Sequence, residues 1–311
     1  MTHYLEYRLG PTDDGKEVLF LMQKVLGFTT KKVRSVKHEE WGILLNGKRV
    51  TVRARGKEGQ LLKVMLEDSQ EKQNKIASTK MNLHILYEDE DVLIINKPKG
   101  MVVHPSAGHY THTVVNAVMF HCKEHLSGIN GVMRPGIVHR IDMDTTGAIV
   151  ICKNDMAHQS LADQLKEHSI TRKYRALVHG NLKEDEGTVE GPIGRHATDR
   201  KRMAINYKNG KPAVTHYRVL QTLKGASFME FELETGRTHQ IRVHMASIGH
   251  PLLGDEVYGP ARQPFSLEGQ TLHAGVLGFI HPRTGEYVEF SAPLPAYFEE
   301  LLEKLRKKAG K

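Results

Sequence analysis

The stretch Gly136-Ile137-Val138-His139-Arg140-Ile141-Asp142-Met143-Asp144-Thr145-Thr146-Gly147 sets two carboxylates, Asp142 and Asp144, two residues apart near the middle of the chain. On an extended backbone residues i and i+2 share a face, which puts these carboxylates about 7 Å apart. A glycosidase of the inverting kind uses two carboxylates roughly 6.5 to 9.5 Å apart, so that chemistry is open. The flanking residues separate the two positions. Asp144-Thr145-Thr146-Gly147 has the composition of a turn, in which Asp and Thr side chains bond nearby backbone and Gly takes the difficult dihedral; Asp144 reads as structural. Asp142 follows Ile137 and Val138 in what reads as a buried strand, with Arg140 nearby. A carboxylate in such a place must be paired or functional.

Outward from this stretch, strands dominate. His84 to Lys97 reads as two strands joined by the acidic turn Glu88-Asp89-Glu90-Asp91, followed by a loop stiffened by Pro98 and Pro105. A helix is expected from Thr113 to His121, a buried strand over Ile149 to Lys153, and a helix capped by Asn154 or Asp155 and running to His168. A strand over Lys173 to His179 carries Tyr174. Further on come a helix over Thr238 to Ile248, a hairpin around Pro282 to Gly285 and a closing helix from Pro295. Short turns between neighbouring strands predict an α+β fold: a mixed, mostly antiparallel sheet with flanking helices on one side, over residues 82–311.

The N-terminal part is different. Val18, Leu21, Met22, Val25 and Leu26 fall on one face of an amphipathic helix over Lys16 to Leu26. Thr29 or Thr30 caps a second helix with Val33 and Val36 inward and Lys31, Lys32, Arg34, Lys37 and His38 outward. Asn46-Gly47 tolerates the positive φ of a tight hairpin turn between Ile43 to Leu45 and Val50 to Val52, and a strand follows over Leu61 to Leu66. This small basic α+β unit resembles the S4 RNA-binding fold, and Asn46-Gly47-Lys48 resembles its Val-Asn-Gly-Lys signature. Gly15-Lys16-Glu17-Val18 stands where that fold commonly opens with Arg-Leu-Asp-Lys. Glu67 to Lys80 has only Ile76 and Ala77 as apolar residues and reads as a flexible polar linker. The expected division is an S4-like domain at 1–75, a linker at 76–81 and a catalytic domain at 82–311.

Composition limits the function classes. The chain has 311 residues, a net charge of +8 and, with its hydrophobic and charged content, the profile of a globular protein. Its excess of cations suits a polyanionic partner. No stretch of ~18 apolar residues and no basic start followed by an apolar run occurs, so the reading expects no membrane association and a cytoplasmic protein. Cys122 and Cys152, its only cysteines, lack C-x-x-C spacing, and His239 and His244 lack the i, i+4 spacing of a helical zinc pair. Neither a phosphate-binding loop nor G-x-G-x-x-G is present. No metal and no cofactor are expected.

His139-Arg140-Ile141-Asp142-Met143-Asp144-Thr145-Thr146-Gly147 resembles the His-Arg-Leu-Asp-x-x-Thr-Ser-Gly motif of the RluA family of pseudouridine synthases. Three further blocks resemble that family in order: Asn96-Lys97-Pro98-x-Gly100 with His104-Pro105, Arg172-Lys173-Tyr174-x-Ala176, and Thr235-Gly236-Arg237-Thr238-His239-Gln240-Ile241-Arg242-Val243-His244. Four ordered blocks are far more specific than one short motif.

The resemblance implies an RNA uridine-to-pseudouridine isomerase. Asp142 would attack ribose C1′ or take the C2′ proton, after which the base detaches, turns and rejoins through carbon; either role requires an ionised carboxylate. Arg242 fits as its charge-assisted partner, with Thr238 one helical turn earlier facing the same site. Tyr174 matches the family's active-site tyrosine, able to stack on a uracil taken out of the RNA. Arg140 resembles the arginine that enters the RNA where the base has left, and Arg237, His239 and Lys97 are expected to position phosphates or shape the loop. Implied partners are ribosomal RNA first and transfer RNA second, with a monomer as the default. Two other functions, an RNA-binding protein without catalysis and a glycosidase using Asp142 and Asp144, are separated from this one by the trio Asp142, Tyr174 and Arg242.

Overall fold

The structure, a computed structural model, describes residues 3–66, 76–106, 108–123, 125–129, 135–199, 202–263 and 265–309. Its contacts divide the chain into two units, Met1–Asn74 and Lys75–Lys311. Of the expected linker, 67–75 lie outside the described residues. Residues 76–79 belong to the larger unit: Ile76 is buried in its core, Ala77 O accepts from Asn116 Nδ2 at 2.8 Å, and Thr79 N–H donates to Asn116 O at 3.0 Å.

In the smaller unit, β1 (His3–Arg8) is a strand that the sequence pattern does not announce. The expected first helix is shorter and changes pitch: α1 (Val18–Phe20) continues as a π turn over Leu21–Val25, closed by Leu26 N–H to Leu21 O at 2.9 Å. The wider turn rotates the residues after Leu21 out of the 3.6-residue period. Val18, Leu21 and Met22 are therefore buried while Val25 is exposed. Next come α2 (Thr30–Val36), β2 (Ile43–Leu45), β3 (Lys48–Arg49) and β4 (Leu61–Leu66), with the strands in the order β1-β4-β2-β3. Both Asn46 and Gly47 have positive φ, 48° and 77°, as the tight turn requires. Val33 and Val36 are buried and Arg34, Lys37 and His38 exposed; the side chains of Lys31 and Lys32 are outside the described residues.

The larger unit is a nine-stranded sheet. In chain order its elements are β5 (Ile85–Glu88), β6 (Val92–Lys97), α3 (Val114–Cys122), β7 (Thr146–Cys152), α4 (Asp155–Lys166), β8 (Thr171–His179) and β9 (Glu186–Glu190). A small hairpin of β10 (Ile193–Arg195) and β11 (Met203–Ile205) precedes β12 (Val214–Leu223), β13 (Ala226–Leu233), α5 (Gln240–Ser247), β14 (Leu272–Ile280), β15 (Tyr287–Ser291) and α6 (Ala296–Ala309). Across the sheet the order is β5-β6-β7-β14-β8-β13-β12-β9, with β15 on the far half of β14. β7 pairs with β14 in parallel and the other pairings of this sheet are antiparallel.

Helices cover both faces, not one. Ile149 and Ile151 of β7 pack in a core with α3 and α5, while Ala148, Val150 and Cys152 pack on α4 from the opposite face. In β8, Tyr174, Ala176 and Val178 face the first core and Leu177 lies under α6. A strand covered on both sides loses alternation, which is why Ala148 to Cys152 reads as one continuous apolar run. Gly147 lies where β7 meets β14: its φ is 113°, and an added Cβ would lie 2.2 Å from Ala274 O.

Candidate active site

The segment carrying Asp142 is not a strand. Only Ile137 forms an isolated bridge, to Ile151, and β7 begins at Thr146. Thr145 N–H donates to Asp142 O at 3.1 Å, closing a turn through Met143 and Asp144. The turn removes the shared face that an extended chain would give the two carboxylates. Asp142 lines a pocket with Arg140, Tyr174, Arg237, His239 and Arg242, whereas Asp144 lies outside that lining and sits against Gly269. The second carboxylate that a glycosidase needs is thus not in the pocket.

Arg242 organises the site. It is 6% exposed, and its guanidinium bridges two carboxylates. Nη1 donates to Asp142 Oδ2 at 3.0 Å, while Nε and Nη2 donate to Asp255 Oδ2 and Oδ1 at 2.6 and 2.9 Å. The fork of Asp255 takes one edge of the guanidinium and leaves the other for Asp142. Burial penalises the Arg242 charge, but the bonds to and charge of Asp255, joined by Asp142, outweigh it and raise its pKa. Asp255 is fully buried and is itself fixed by the N–H groups of Val257 and Tyr258 on Oδ1. The Tyr258 ring lies 5.1 Å from the Arg242 guanidinium carbon, and its hydroxyl pairs with His239 Nδ1 at 2.8 Å. Burial lowers the His239 pKa against the pull of Asp142, so its ring is neutral at pH 7. Its Nε2 is 3.9 Å from Asp142 Oδ2, too far for a hydrogen bond.

Tyr174 enters the pocket from β8, mid-sheet, and is nearly buried. Burial raises its pKa further above the phenol range, Asp142 adding to this and Arg172 opposing it, so the hydroxyl keeps its proton. Gln240, the first residue of α5, ties the preceding loop: its Oε1 accepts from Thr235 Oγ1 and from the Arg237 N–H, and its Nε2 donates to Val214 O.

Two expected site residues are elsewhere. Thr238 is exposed and precedes the helix, because His239 takes φ 58° and α5 starts only at Gln240. It is not a turn of helix away from Arg242, and it does not line the pocket. Lys97 is fully buried, so of its two expected roles it does not meet a phosphate, and the one its bonds fit is shaping the loop. Its Nζ donates to the carbonyls of Pro98, Met101 and Met143, each at 2.8 Å, and so ties β6 to the residue after Asp142. Burial pushes its pKa down to about 7, with Asp144 and Asp142 pulling the other way. Asp255 and Tyr258 are the members that sequence reasoning missed. Leu253-Gly254-Asp255-Glu256 carries only a turn signal in sequence, and Asp255 is recognisable only once Arg242 is seen against it.

Residues 91–247 match the RNA pseudouridylate synthase family. An uncharacterised RNA pseudouridine synthase of Bacillus subtilis is 60% identical over 227 residues, covering 73% of this chain and 74% of that one. The ribosomal large subunit pseudouridine synthase D of Zymomonas mobilis is 52% identical over 231 residues, covering 72% and 73%. Among solved structures, human RNA pseudouridylate synthase domain containing 1 superposes with a TM-score of 0.56 at 28% identity, over 72% of this chain and 95% of that one. The matched segment contains Asp142, Tyr174 and Arg242, and with these relatives it establishes that the chain belongs to the RluA-type RNA pseudouridine synthases, isomerases of uridine in RNA.

Proposed function

We propose that this enzyme modifies uridines of large-subunit ribosomal RNA in the cytoplasm, with Asp142 as the carboxylate acting at the target ribose. The observation that carries the reading is the 3.0 Å contact of Arg242 Nη1 with Asp142 Oδ2 in a pocket walled by Tyr174. A carboxylate that accepts a guanidinium hydrogen bond is held in place by it. Both candidate first steps, attack on C1′ and removal of the C2′ proton, need a carboxylate fixed against the ribose. Breaking the N1–C1′ bond frees the uracil, which must stay in the pocket while it turns so that C5 meets C1′. The Tyr174 ring supplies a flat apolar wall for it. Bond formation at C5 is completed by loss of the C5 proton, so the reaction is redox-neutral. Relatives named for the large ribosomal subunit support the substrate class. In this reading the N-terminal unit is an S4-like RNA-binding domain, its exposed Arg34, Lys37 and His38 meeting RNA phosphates.

Asp142→Asn keeps the shape and removes the charge. We expect it to abolish pseudouridine formation while RNA binding persists, and mapping of pseudouridines in total RNA with and without the enzyme identifies the substrate. Undiminished turnover by the variant removes Asp142 from the chemistry; a map without changes in large-subunit RNA removes that substrate.

A further inference from the structure

Beside the uridine pocket is a second recess, sharing Arg140, Tyr174, Leu233 and Arg237 with it and walled in addition by Arg172 and Gly236. Its lining contains three arginines and neither Asp nor Glu. Arg172 is 7% exposed, and among the described residues no carboxylate pairs with it. Its Nη2 donates to Leu233 O at 3.3 Å and Glu234 O at 3.1 Å, while its buried Nε has no hydrogen-bond partner. Arginine does not shed its proton in a protein, so this buried charge is uncompensated. Arg140 and Arg237 likewise lack a carboxylate partner among the described residues; Arg140 Nη1 meets His104 Nε2 at 3.4 Å and Arg237 Nε donates to Pro212 O at 3.0 Å. Gly236 supplies an independent observation. Its φ is not in the left-handed region, so its backbone does not require glycine. A Cβ there would lie 2.7 Å from Arg172 Nη1, so any side chain would crowd the guanidinium.

We propose that this recess seats an RNA phosphodiester next to the target uridine, with Arg172 as its anchor and Arg140 and Arg237 as flanking cations. The anion arrives with the substrate, because a strand whose uracil lies against Tyr174 carries its own phosphates past the shared wall. Arg172 would then fix how far the flipped nucleotide enters. The inference rests on the reading of the Asp142 pocket as the uridine site.

The test is a scan of a short RNA containing the modified uridine, with each flanking phosphate replaced in turn by a neutral methylphosphonate, read by equilibrium binding. In the wild-type enzyme one linkage adjoining the target is expected to weaken binding about tenfold, the size of one charge-assisted hydrogen bond. Arg172→Gln should bind the unmodified RNA about tenfold more weakly and lose nothing more at that linkage. A flat scan in the wild type overturns the proposal. So does an Arg172→Gln variant that keeps the tenfold step, which would leave Arg172 only a brace for the end of β13. If Arg172→Gln does not fold, Gly236→Val covers Nη1 while keeping the charge; it should erase the step, and a wild-type step in that variant overturns the assignment. The readout is binding, so a failure of Asp142 as the acting carboxylate is seen separately, as turnover by Asp142→Asn with the phosphate step intact.

Discussion

Asp142 and Asp255 share one guanidinium, and the structure predicts that replacing Asp255 costs mainly stability while replacing Asp142 costs mainly activity. Asp255 is fully buried and takes two of the three bonds between Arg242 and the carboxylates, while Asp142 takes one and has a side chain 17% exposed. In Asp255→Asn the carboxylate charge is lost and an NH2 group is turned on a guanidinium donor. Removing one partner of a buried pair costs about 3 to 5 kcal/mol. In a unit of roughly 150 to 250 residues each kcal/mol moves the melting temperature by about 2 to 4 °C, so a fall on the order of 10 °C is expected. Asp142→Asn leaves Arg242 paired with Asp255, and one hydrogen bond of about 1 kcal/mol is at stake, a shift of a few degrees. Activity separates the two in another way. With its brace gone Arg242 no longer aims Asp142, and a misplacement of about 1 Å costs roughly a hundredfold in rate. Asp255→Asn should therefore lower kcat about a hundredfold with RNA affinity within about twofold. Thermal melting, RNA binding and tritium release from RNA labelled at uridine C5 measure the three quantities. The reasoning is refuted if Asp142→Asn melts as low as Asp255→Asn, or if Asp255→Asn folds normally and turns over at the wild-type rate.

Lys97 yields a pH prediction. Its folded pKa of about 7 lies below the unfolded value of about 10.4, so the unfolded chain binds a proton that the folded one has released, and stability rises with pH between these values by up to about 1.4 kcal/mol per unit. Lys97→Met should flatten the rise in melting temperature from pH 7 to pH 9; parallel curves for the two proteins count against the depressed pKa. Tyr174→Leu removes the stacking face and should weaken binding of the RNA by about tenfold, whereas Tyr174→Phe keeps it, as titration of a labelled RNA would show. Arg34→Glu with Lys37→Glu on and just after α2 should reduce RNA affinity and lower the slope of log K against log salt by about two, and an unchanged slope removes that helix from the RNA interface.

How far the sequence carried the fold and the site depended on how local the cause was. Turn chemistry is local: Asn46-Gly47 and the cap Asn154 act through bonds to residues within a few positions, and each was readable. The apolar run Ala148 to Cys152 marked a strand covered on both faces, yet the run alone does not say what covers it, so the second helical layer was missed. Where position in the fold decides, spacing misled. Asp142 after Ile137 and Val138 looks like a strand residue, but the chain there bends through Met143 and Asp144, with Met143 O held by the buried Nζ of Lys97 from β6. Thr238 fits the helix period up to the one residue, His239, whose left-handed φ delays the helix.

Charge shows the same limit most sharply. Arg242 was legible as a partner of Asp142, since a guanidinium and a carboxylate in matched blocks invite pairing. That it needs a second carboxylate was not. A single guanidinium bonded only to Asp142 would be free to swing with it, and the pair would be no more defined than a surface ion pair. Asp255 changes this because its own Oδ1 is pinned by the N–H groups of Val257 and Tyr258 in a turn that no periodicity announces. Orientation passes from that turn to Asp255, from Asp255 through two parallel bonds to the guanidinium, and from its remaining edge to Asp142. The Asp142 carboxylate is thereby aimed from a loop 113 residues further along the chain, and a substitution in the Gly254 to Tyr258 turn should lower turnover without touching RNA.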